Sequence, residues 1–264
     1  MKLDAPVPGR PCWVELGTPD LDAAKRFYTE LFGWRPERDP RQEAGGYTVA
    51  HLGEEAVAAL APLYQESQPC AWNVSFAVSD ADVSARLLTE AGGTVLVGPM
   101  DVFDLGRFVV ALDPGGAAFQ LWQAITFPGA GLFDEPGSLG WVELLTRDPA
   151  RAESFYSTVF GWTVRSSEDY VHWGVGGVDF GGMVRMDEKY PPEVPPHWLP
   201  YFVVAELDAS VPTALDAGAA ALTEPTKAPD GPRFAVLRDP QGAVFGLYEP
   251  CEEDGENGKN GAGG

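Results

Sequence analysis

The chain has 264 residues and a formal net charge of −21, from 39 acidic and 18 basic residues. This length is typical of about two domains, and the acidic balance disfavours nucleic acid or an anionic membrane as partner. There is no run of about 18 apolar residues and no apolar signal segment among the first ten, and three scattered cysteines are typical of reduced thiols. We therefore expect a cytoplasmic protein, monomeric or homodimeric, with no nucleic-acid or membrane partner.

The chain contains an internal repeat. Residues 13–34 and 141–162 share 12 of 22 positions without a gap, at a constant offset of 128. Each copy is predicted to be a strand followed by a helix. The helix is capped at its N-terminus by Asp20 or Thr18 in the first copy and by Asp148 in the second. Gly33 and Gly161 are predicted to end these helices. Residues 107–122 and 233–248 share nine of 16 positions, so the repeat extends through both halves.

The elements along each half follow one scheme, a strand and a helix followed by further strands. Turn residues bound the later strands, including the Asp-Pro-Gly-Gly and Asp-Pro-Gln-Gly sequences before the last strand of each half. We predict a first domain over residues 1–123, a linker over 124–138, a second domain over 139–250, and a disordered acidic tail over 251–264.

The F-Y-x-x-x-F-G-W helix ends and the closing D-P-x-G turns are a distinctive combination. On these motifs the chain resembles the vicinal oxygen chelate superfamily, which includes glyoxalase I, bleomycin-resistance proteins and extradiol dioxygenases. More narrowly, it is similar to the two-domain actinobacterial glyoxalase-like branch. The resemblance implies an α+β fold of two tandem domains, each built of two paired βαβββ modules that form a cupped mixed sheet around one cavity. The fold alone does not fix the function.

The resemblance also implies four metal-ligand positions in each half, and this chain departs from them. The positions inferred by alignment hold mostly side chains that cannot ligate a metal. They are Trp13, a residue near Ala59, Asn73 and Gln120 in the first half, and Trp141, a residue near Gly182, Leu199 and Gly246 in the second. We therefore expect no metal and no other cofactor.

Two glutamates are the main candidates for chemistry. Glu15 and Glu143 follow the repeated tryptophans by two residues, so each Trp–Glu pair shares one face of its strand. The resemblance makes that face the cavity face, where desolvation would raise the carboxyl pKa. The alternative is that each glutamate is exposed or pairs with an arginine such as Arg107 or Arg233. His172, on a strand, is a third candidate catalytic residue.

Eight tryptophans are many for this length. Trp34 and Trp162 follow the helix-ending glycines and are predicted to fill the core, whereas indoles on the cavity faces would offer flat apolar walls to a planar ligand. The predicted ligand-binding residues are Trp13, Glu15, Asn73, Gln120, Trp122, Trp141, Glu143, Trp173 and Tyr248.

Three functions are compatible with this pattern. The first is a metal-independent protein that binds an apolar, planar and aromatic small molecule, for sequestration, resistance or natural-product tailoring. The second is a metal-independent lyase, isomerase or tailoring enzyme that uses Glu15 or Glu143 as the base. The third is a glyoxalase-type metal-dependent lyase with Glu15, Glu143 or His172 as unusual ligands. Differences between the halves, such as Gln120 against Gly246, allow one cavity to bind and the other not.

Overall fold

The computed structural model describes residues 2, 5–65, 68–166, 170–228 and 231–251. Two mixed, cupped sheets and four helices form these ranges, which confirms the predicted α+β class with two sheet-dominated domains. None of the helices described reaches the length and apolar character that crossing a bilayer requires. The predicted disordered tail lies outside the described residues beyond Cys251.

The first sheet consists of two modules that meet at their first strands. The order is β2-β3-β4-β1-β5-β8-β7-β6, with β1 and β5 antiparallel at the centre. The strands are β1 Pro11–Thr18, β2 Arg35–Arg38, β3 Thr48–Leu52, β4 Glu55–Pro62, β5 Ala71–Ala77, β6 Thr94–Val102, β7 Gly106–Leu112 and β8 Ala118–Ala124, with helices α1 Leu21–Phe32 and α2 Ala81–Glu90. The paired βαβββ arrangement expected from the resemblance is therefore present.

The second sheet repeats this topology in the order β10-β11-β12-β9-β13-β17-β16-β14, with β15 on β16. Its strands are β9 Leu139–Thr146, β10 Thr163–Ser166, β11 Val171–Val175, β12 Val178–Arg185, β13 His197–Val203, β14 Ala220–Ala221, β15 Thr226–Lys227, β16 Arg233–Arg238 and β17 Val244–Glu249, with helices α3 Pro149–Phe160 and α4 Leu207–Asp216. The sequence pattern did not predict the edge strands β2 and β10, because short, largely exposed strands carry no apolar alternation.

Local signals set the ends of the repeated helices as predicted. The Asp20 carboxylate accepts a hydrogen bond from the backbone N–H of Ala23, and the Asp148 carboxylate accepts one from Arg151. These bonds satisfy amide groups that have no partner within the helix. Gly33 closes α1 in the left-handed region at φ 70°, as Gly161 closes α3 at φ 69°.

The two halves are joined by a pair of buried hydrogen-bond chains that cross between them. Trp72 Nε1 donates to the Tyr28 hydroxyl at 3.0 Å, and that hydroxyl donates to Asp239 Oδ2 at 2.8 Å in the other half. The other Asp239 oxygen accepts the backbone N–H groups of Gln241 and Ala243, which shapes the D-P-x-G turn. Each chain therefore ties a helix of one half to a turn of the other.

The second chain is the reciprocal of the first. Trp198 Nε1 donates to the Tyr156 hydroxyl at 2.9 Å, and that hydroxyl donates to Asp113 Oδ2 at 3.1 Å. Burial raises the pKa of the Asp113 carboxyl, as it does for Asp239. The F-Y and D-P-x-G motifs are therefore partners across the two halves, which their separate positions in the sequence did not indicate.

The core is continuous between the sheets. Phe76 of β5 packs edge-on against Trp198 at 5.1 Å between ring centroids, and Trp72 packs on Phe202 at 5.0 Å. Trp34 and Trp162 are 2% and 3% exposed, so their predicted place in the core is confirmed. The helix-side faces of both sheets are buried in this core.

Residues 125–138 connect the two sheets and contact both of them. The backbone N–H of Ala130 donates to the Cys12 carbonyl in β1, and that of Gly137 donates to the Val203 carbonyl in β13. Trp34 Nε1 also donates to the Gly137 carbonyl at 2.7 Å. The domain boundary at residues 124–138 stays a prediction.

The crossing chains predict a specific loss of stability. We expect Tyr28→Phe to lower the free energy of unfolding by about 1–3 kcal/mol, because it leaves the buried Asp239 oxygen and the Trp72 N–H without their partner. Urea unfolding would measure this loss. Tyr64→Phe is the matched control, because Tyr64 is 63% exposed. Equal stability of both variants and the parent would contradict the role assigned to Tyr28.

Candidate functional site

Alternation along the first strand of each sheet decides which side chains line the concave surfaces. In β1, Val14 is fully buried on the helix side, so Trp13 and Glu15 face the concave side. The same alternation in β9 places Trp141 and Glu143 on the concave side of the second sheet, where both are partly exposed. The repeat therefore puts one Trp–Glu pair into each concave surface. We call these surfaces the first cup and the second cup.

In the second cup, two tyrosines hold the Glu143 carboxylate. The Tyr170 hydroxyl donates to Oε1 at 2.9 Å, and the Tyr201 hydroxyl donates to Oε2 at 3.0 Å. Trp141 Nε1 in turn donates to the Tyr170 oxygen at 2.8 Å. Each carboxylate oxygen accepts one of these two tyrosine hydrogen bonds, so each keeps a second lone pair that can accept a hydrogen bond from a ligand.

In the first cup, a related network surrounds Glu15. Trp13 Nε1 donates to the Tyr47 hydroxyl at 2.9 Å, and Tyr47 and Gln120 both hydrogen-bond to the Glu15 carboxylate. The Ser75 hydroxyl donates to Gln120 Oε1 at 2.7 Å and fixes that amide. The Trp–Tyr–Glu chain is thus common to both cups, and only the second donor to the carboxylate differs.

Burial governs the ionisation of these carboxyl groups. It raises the pKa of Glu143, and the hydrogen bonds from Tyr170 and Tyr201 offset part of that rise. Glu15 shows the same net direction for the same reason, so the predicted effect of desolvation is confirmed. Burial and the neighbouring carboxylate also raise the pKa of the Tyr201 phenol, so it stays a hydrogen-bond donor at neutral pH.

Among the described residues, the two arginines named as partners of these glutamates pair with other carboxylates. Arg107 pairs with Asp82 and Asp101 on the helix side of the first sheet. The corresponding arginine of the second half, Arg233, pairs with Asp208 and Glu249.

A pair of compensating replacements distinguishes the second cup from the first. Ser75 of β5 pairs in register with Gln120 of β8 in the first sheet. At the corresponding positions of the second sheet, Tyr201 of β13 pairs in register with Gly246 of β17. A side chain at Gly246 would overlap the Tyr201 ring, so glycine leaves the space that tyrosine fills. In the same way Gly182 leaves room for Tyr170. The second cup is therefore built of aromatic surface where the first uses a serine and an amide.

The second cup also carries an apolar cluster that is separate from the main core. Its buried members are Leu145, Met186, Leu199 and Tyr201, and Trp141, Tyr190, Val194, Phe234, Val236, Val244 and Tyr248 pack around them half-buried. Residues 186–196, which we call the strap, supply three of these side chains. Arg147 donates from one guanidinium nitrogen to the carbonyls of Pro191 and Val194, at 2.9 and 3.1 Å, and holds the strap in place.

The first cup is covered differently. Phe127, from the segment that connects the sheets, packs edge-on against Trp13 at 5.0 Å and against Trp122 at 6.2 Å. Trp122 Nε1 donates to the Phe127 carbonyl at 2.9 Å. Trp13 is consequently only 5% exposed and Gln120 is also 5% exposed. The chain's own side chains therefore fill much of the first cup.

Several residues predicted to bind ligand lie on these concave faces. Asn73 lies beside Glu15 in register and hydrogen-bonds to its backbone carbonyl, although both amide contacts are long at 3.4 Å. Tyr248 belongs to the apolar cluster of the second cup. Trp122 faces the first cup beneath Phe127.

Trp173 requires a correction. Its side chain is fully buried in the core between the sheets, 5.3 Å from the Trp162 ring centroid, so it does not line a cup. Alternation along β11 explains this placement, because the neighbouring His172 takes the concave side.

His172 lies on the concave side but does not contact Glu143. Its ring lies 5.0 Å from the Tyr170 ring centroid and 6.0 Å from that of Trp141. Gly182 stands between His172 and Glu143 in register, which separates them by two strand spacings, roughly 10 Å. The structure thus brings Trp141 together with Glu143 and leaves His172 at the edge of the second cup.

The sequence reasoning did not identify the tyrosines that hold the glutamates. Tyr47 and Tyr170 each precede the third strand of their module. Their offset is 123 residues rather than 128, so the ungapped repeat did not align them. An alignment of the two halves with a gap of five residues before Tyr170 pairs the two tyrosines.

The residues of the cups do not fit a metal centre. A metal site needs three or more donor side chains that converge on one point. Among the described residues, no group of three or more His, Cys, Asp or Glu side chains is placed to hold a metal. Around Glu143 the polar neighbours are tyrosine hydroxyls that donate protons to the carboxylate, and Gly182 and Leu199 beside it carry no donor atom.

Two surface hollows lie elsewhere on the molecule. One of about 470 Å³ lies between α2 and β6, beside Ala85 and Pro99. Another of about 350 Å³ lies beside Thr18 and Pro62. Neither includes a residue of the Trp–Tyr–Glu chains, so the chemistry of the cups, and not the size of a hollow, identifies them as the candidate site.

The raised pKa of Glu143 makes its contribution to stability depend on pH in a defined direction. Because the folded pKa is above the ordinary value of 4.5, the folded protein binds more protons than the unfolded chain between the two values. The contribution of Glu143 to the free energy of unfolding therefore falls as pH rises through this window and is constant above it.

We therefore expect the stability of Glu143→Gln relative to the parent to increase as pH rises from about 4.5 through the raised pKa. Urea unfolding at a series of pH values would show the trend. Glu30→Gln, at an exposed position of α1, controls for the loss of a charge. A stability difference that stays constant or decreases over this range would contradict the assignment.

Family comparisons agree with this architecture. Residues 10–121 match the Glyoxalase/Bleomycin resistance protein/Dioxygenase superfamily, and residues 141–248 match the Glyoxalase-like domain. Among solved structures, the Mn(II)-bound glyoxalase from Novosphingobium aromaticivorans has a TM-score of 0.65 at 15% identity. The alignment covers 91% of this chain and 82% of the glyoxalase chain. At this identity the likeness concerns the fold alone.

Two relatives are similar along nearly the whole chain. "Putative glyoxylase CFP32" of Mycobacterium tuberculosis (strain CDC 1551 / Oshkosh) is 41% identical, over 93% of this chain and 96% of the relative. "Anthracycline biosynthesis protein DnrV" of Streptomyces peucetius is 38% identical, over 92% of this chain and 94% of the relative. The chain therefore belongs to the glyoxalase, bleomycin-resistance protein and dioxygenase superfamily, also called the vicinal oxygen chelate superfamily, in a form with two tandem domains.

Proposed function

We propose that the chain binds an apolar, planar and aromatic small molecule without a metal, as an accessory in sequestration, resistance or natural-product tailoring. The observation that carries this proposal is the apolar, tyrosine-rich cluster of the second cup, which surrounds a partly exposed carboxylate and is separate from the main core. Sites for small molecules typically combine apolar and aromatic walls with a few placed polar groups. Trp141 and Tyr248 act as walls, and Glu143 as the polar anchor.

The names of the relatives support this class of ligand. DnrV and the "Anthracycline biosynthesis protein DauV" of Streptomyces sp. strain C5, which is 37% identical over 94% of this chain, are both named for the biosynthesis of anthracyclines. Such compounds have planar aromatic bodies that fit between aromatic side chains. This comparison supports a role beside the enzymes of an aromatic natural product.

Ligand entry involves the strap. Tyr190 and Val194 of the strap pack on the floor of the second cup, and a bound aromatic body would take over these apolar contacts. The strap has four prolines and is held by the two hydrogen bonds from the exposed Arg147. We infer that the strap opens to admit the ligand and closes over it.

An enzyme that uses Glu143 as its base is the second candidate. The Glu143 carboxyl, whose pKa is raised by desolvation, holds a proton to higher pH than an exposed glutamate, which favours a role in proton transfer. Its two tyrosine partners would stabilise the charged form, which takes a proton from the ligand and becomes the neutral acid. Glu15 has the same electrostatic setting but lies in the covered first cup. The third candidate, a metal-dependent lyase, finds no support in the donor set of either cup.

We expect tryptophan substitutions in the two cups to affect ligand binding differently. We expect Trp141→Ala to weaken binding of danthron, a neutral planar dihydroxyanthraquinone, by roughly 2- to 10-fold, because an aromatic contact contributes about 0.5–1.5 kcal/mol beyond its buried area. Trp13→Ala is the matched control in the first cup, where Phe127 already covers the indole. Quenching of tryptophan fluorescence and calorimetry would measure the two dissociation constants.

Equal danthron binding by both variants and the folded parent would place the ligand site outside the second cup. Chromatography with mass spectrometry of the recovered ligand separates binding from turnover, since a changed retention time or mass supports the enzyme. Elemental analysis of protein purified without chelators tests whether the chain binds a metal ion. Close to one Zn, Ni, Fe or Mn per chain would contradict a metal-independent function.

A further inference from the structure

We propose that the ligand of the second cup carries a positively charged amine next to its aromatic body, with Glu143 as the counter-ion. This inference rests on the proposed function, and it names the chemical class of ligand that the second cup selects. It begins from a carboxylate on an apolar surface that no basic side chain neutralises among its described partners.

The partners of Glu143 are neutral. Its oxygens accept hydrogen bonds from Tyr170 and Tyr201, and both phenols remain protonated because burial and the carboxylate raise their pKa. Tyr190 of the strap also interacts electrostatically with Glu143. Two neutral hydrogen bonds compensate a desolvated carboxylate only in part, since a buried charge is otherwise matched by an opposite one.

The aromatic surroundings suit a cation as well as a planar body. Four aromatic side chains lie around the carboxylate or its strand neighbours: Trp141, Tyr170, Tyr190 and Tyr201. Aromatic rings attract ammonium groups through the negative charge of their faces, and clusters of such rings recognise alkylated ammonium ligands. A carboxylate within such a cluster adds a direct ionic contact to this attraction.

The long-range field favours the same ligand. The chain carries a net charge of −21, and the strap at the edge of the second cup has three exposed carboxylates, Asp187, Glu188 and Glu193, against one lysine that pairs with Asp187. A surface of one sign raises the local concentration of the opposite ion. An anionic ligand would meet repulsion both on approach and at Glu143.

The first cup provides an internal control. Tyr47 and the amide of Gln120 hold Glu15, the hydroxyl of Ser75 fixes that amide, and Phe127 packs over Trp13. A substitution at Glu15 therefore removes an equivalent carboxylate from a covered site. This comparison separates a specific contact at Glu143 from the general effect of one negative charge fewer.

The test uses the full chain and three probes with the same planar body at neutral pH: anthracenemethylammonium, anthracenemethanol and anthracenecarboxylate. We expect the ammonium probe to bind about 10- to 100-fold more tightly than the alcohol, as a charge-assisted hydrogen bond would provide, and the carboxylate probe to bind most weakly. Fluorescence titration would measure the three dissociation constants.

The same titrations are made on Glu143→Gln and Glu15→Gln, with unfolding curves to establish that both are folded. Glu143→Gln should bring the ammonium and alcohol constants together and leave alcohol binding roughly unchanged, whereas Glu15→Gln should keep the preference of the parent. A preference that survives in Glu143→Gln, or three equal constants in the parent, overturns the inference and leaves the proposed function standing. Binding of none of the probes counts against both.

Discussion

The two crossing Trp–Tyr–Asp chains are the constraint on which the arrangement of the two halves depends. Each links a helix of one half to a D-P-x-G turn of the other, through a tyrosine hydroxyl that both accepts and donates in the core. Buried polar groups of this kind are costly unless all are paired, so the chains favour one relative placement of the sheets. Aromatic packing around Tyr28 and Tyr156 then fills the space between them.

This placement decides which surfaces are available for function. The helices and the helix-side faces of both sheets are buried in the shared core, which also includes Trp13 of the first cup. The concave face of the second sheet carries a separate cluster around Trp141 and remains outside that core. Because the core tolerates little change in volume, divergence between the halves is easier on the concave faces. The exchange of Ser75 and Gln120 for Tyr201 and Gly246 is such a change, since the lost side chain makes room for the larger one.

The same chain of contacts occurs in both cups, in different surroundings. In both, an indole donates to a tyrosine and the tyrosine donates to a glutamate. The first cup completes this network with an amide and covers it with Phe127, which makes it part of the packed structure. The second completes it with Tyr201 and covers it with a proline-rich strap, whose removal would expose aromatic surface and a carboxylate together. The strap over the second cup, in place of Phe127 over the first, supports the second cup as the proposed binding site more than the exchange of Gln120 for Tyr201 does.

The sequence by itself determined the repeat, the helix ends and the shared face of Trp13 and Glu15, because these depend on local periodicity and capping. The cupped sheets were expected from the resemblance to the vicinal oxygen chelate superfamily. It also indicated the raised pKa of both glutamates, since a carboxyl beside indole on a concave face is desolvated. Only the tertiary structure decided that Trp173 belongs to the core, that Tyr170 and Tyr201 hold Glu143, and that Tyr28 meets Asp239. Those contacts join residues far apart in the chain, and for Tyr170 a shorter sequence in the second half shifts the repeat by five positions. Such pairings depend on three-dimensional packing, which no local pattern of residues encodes.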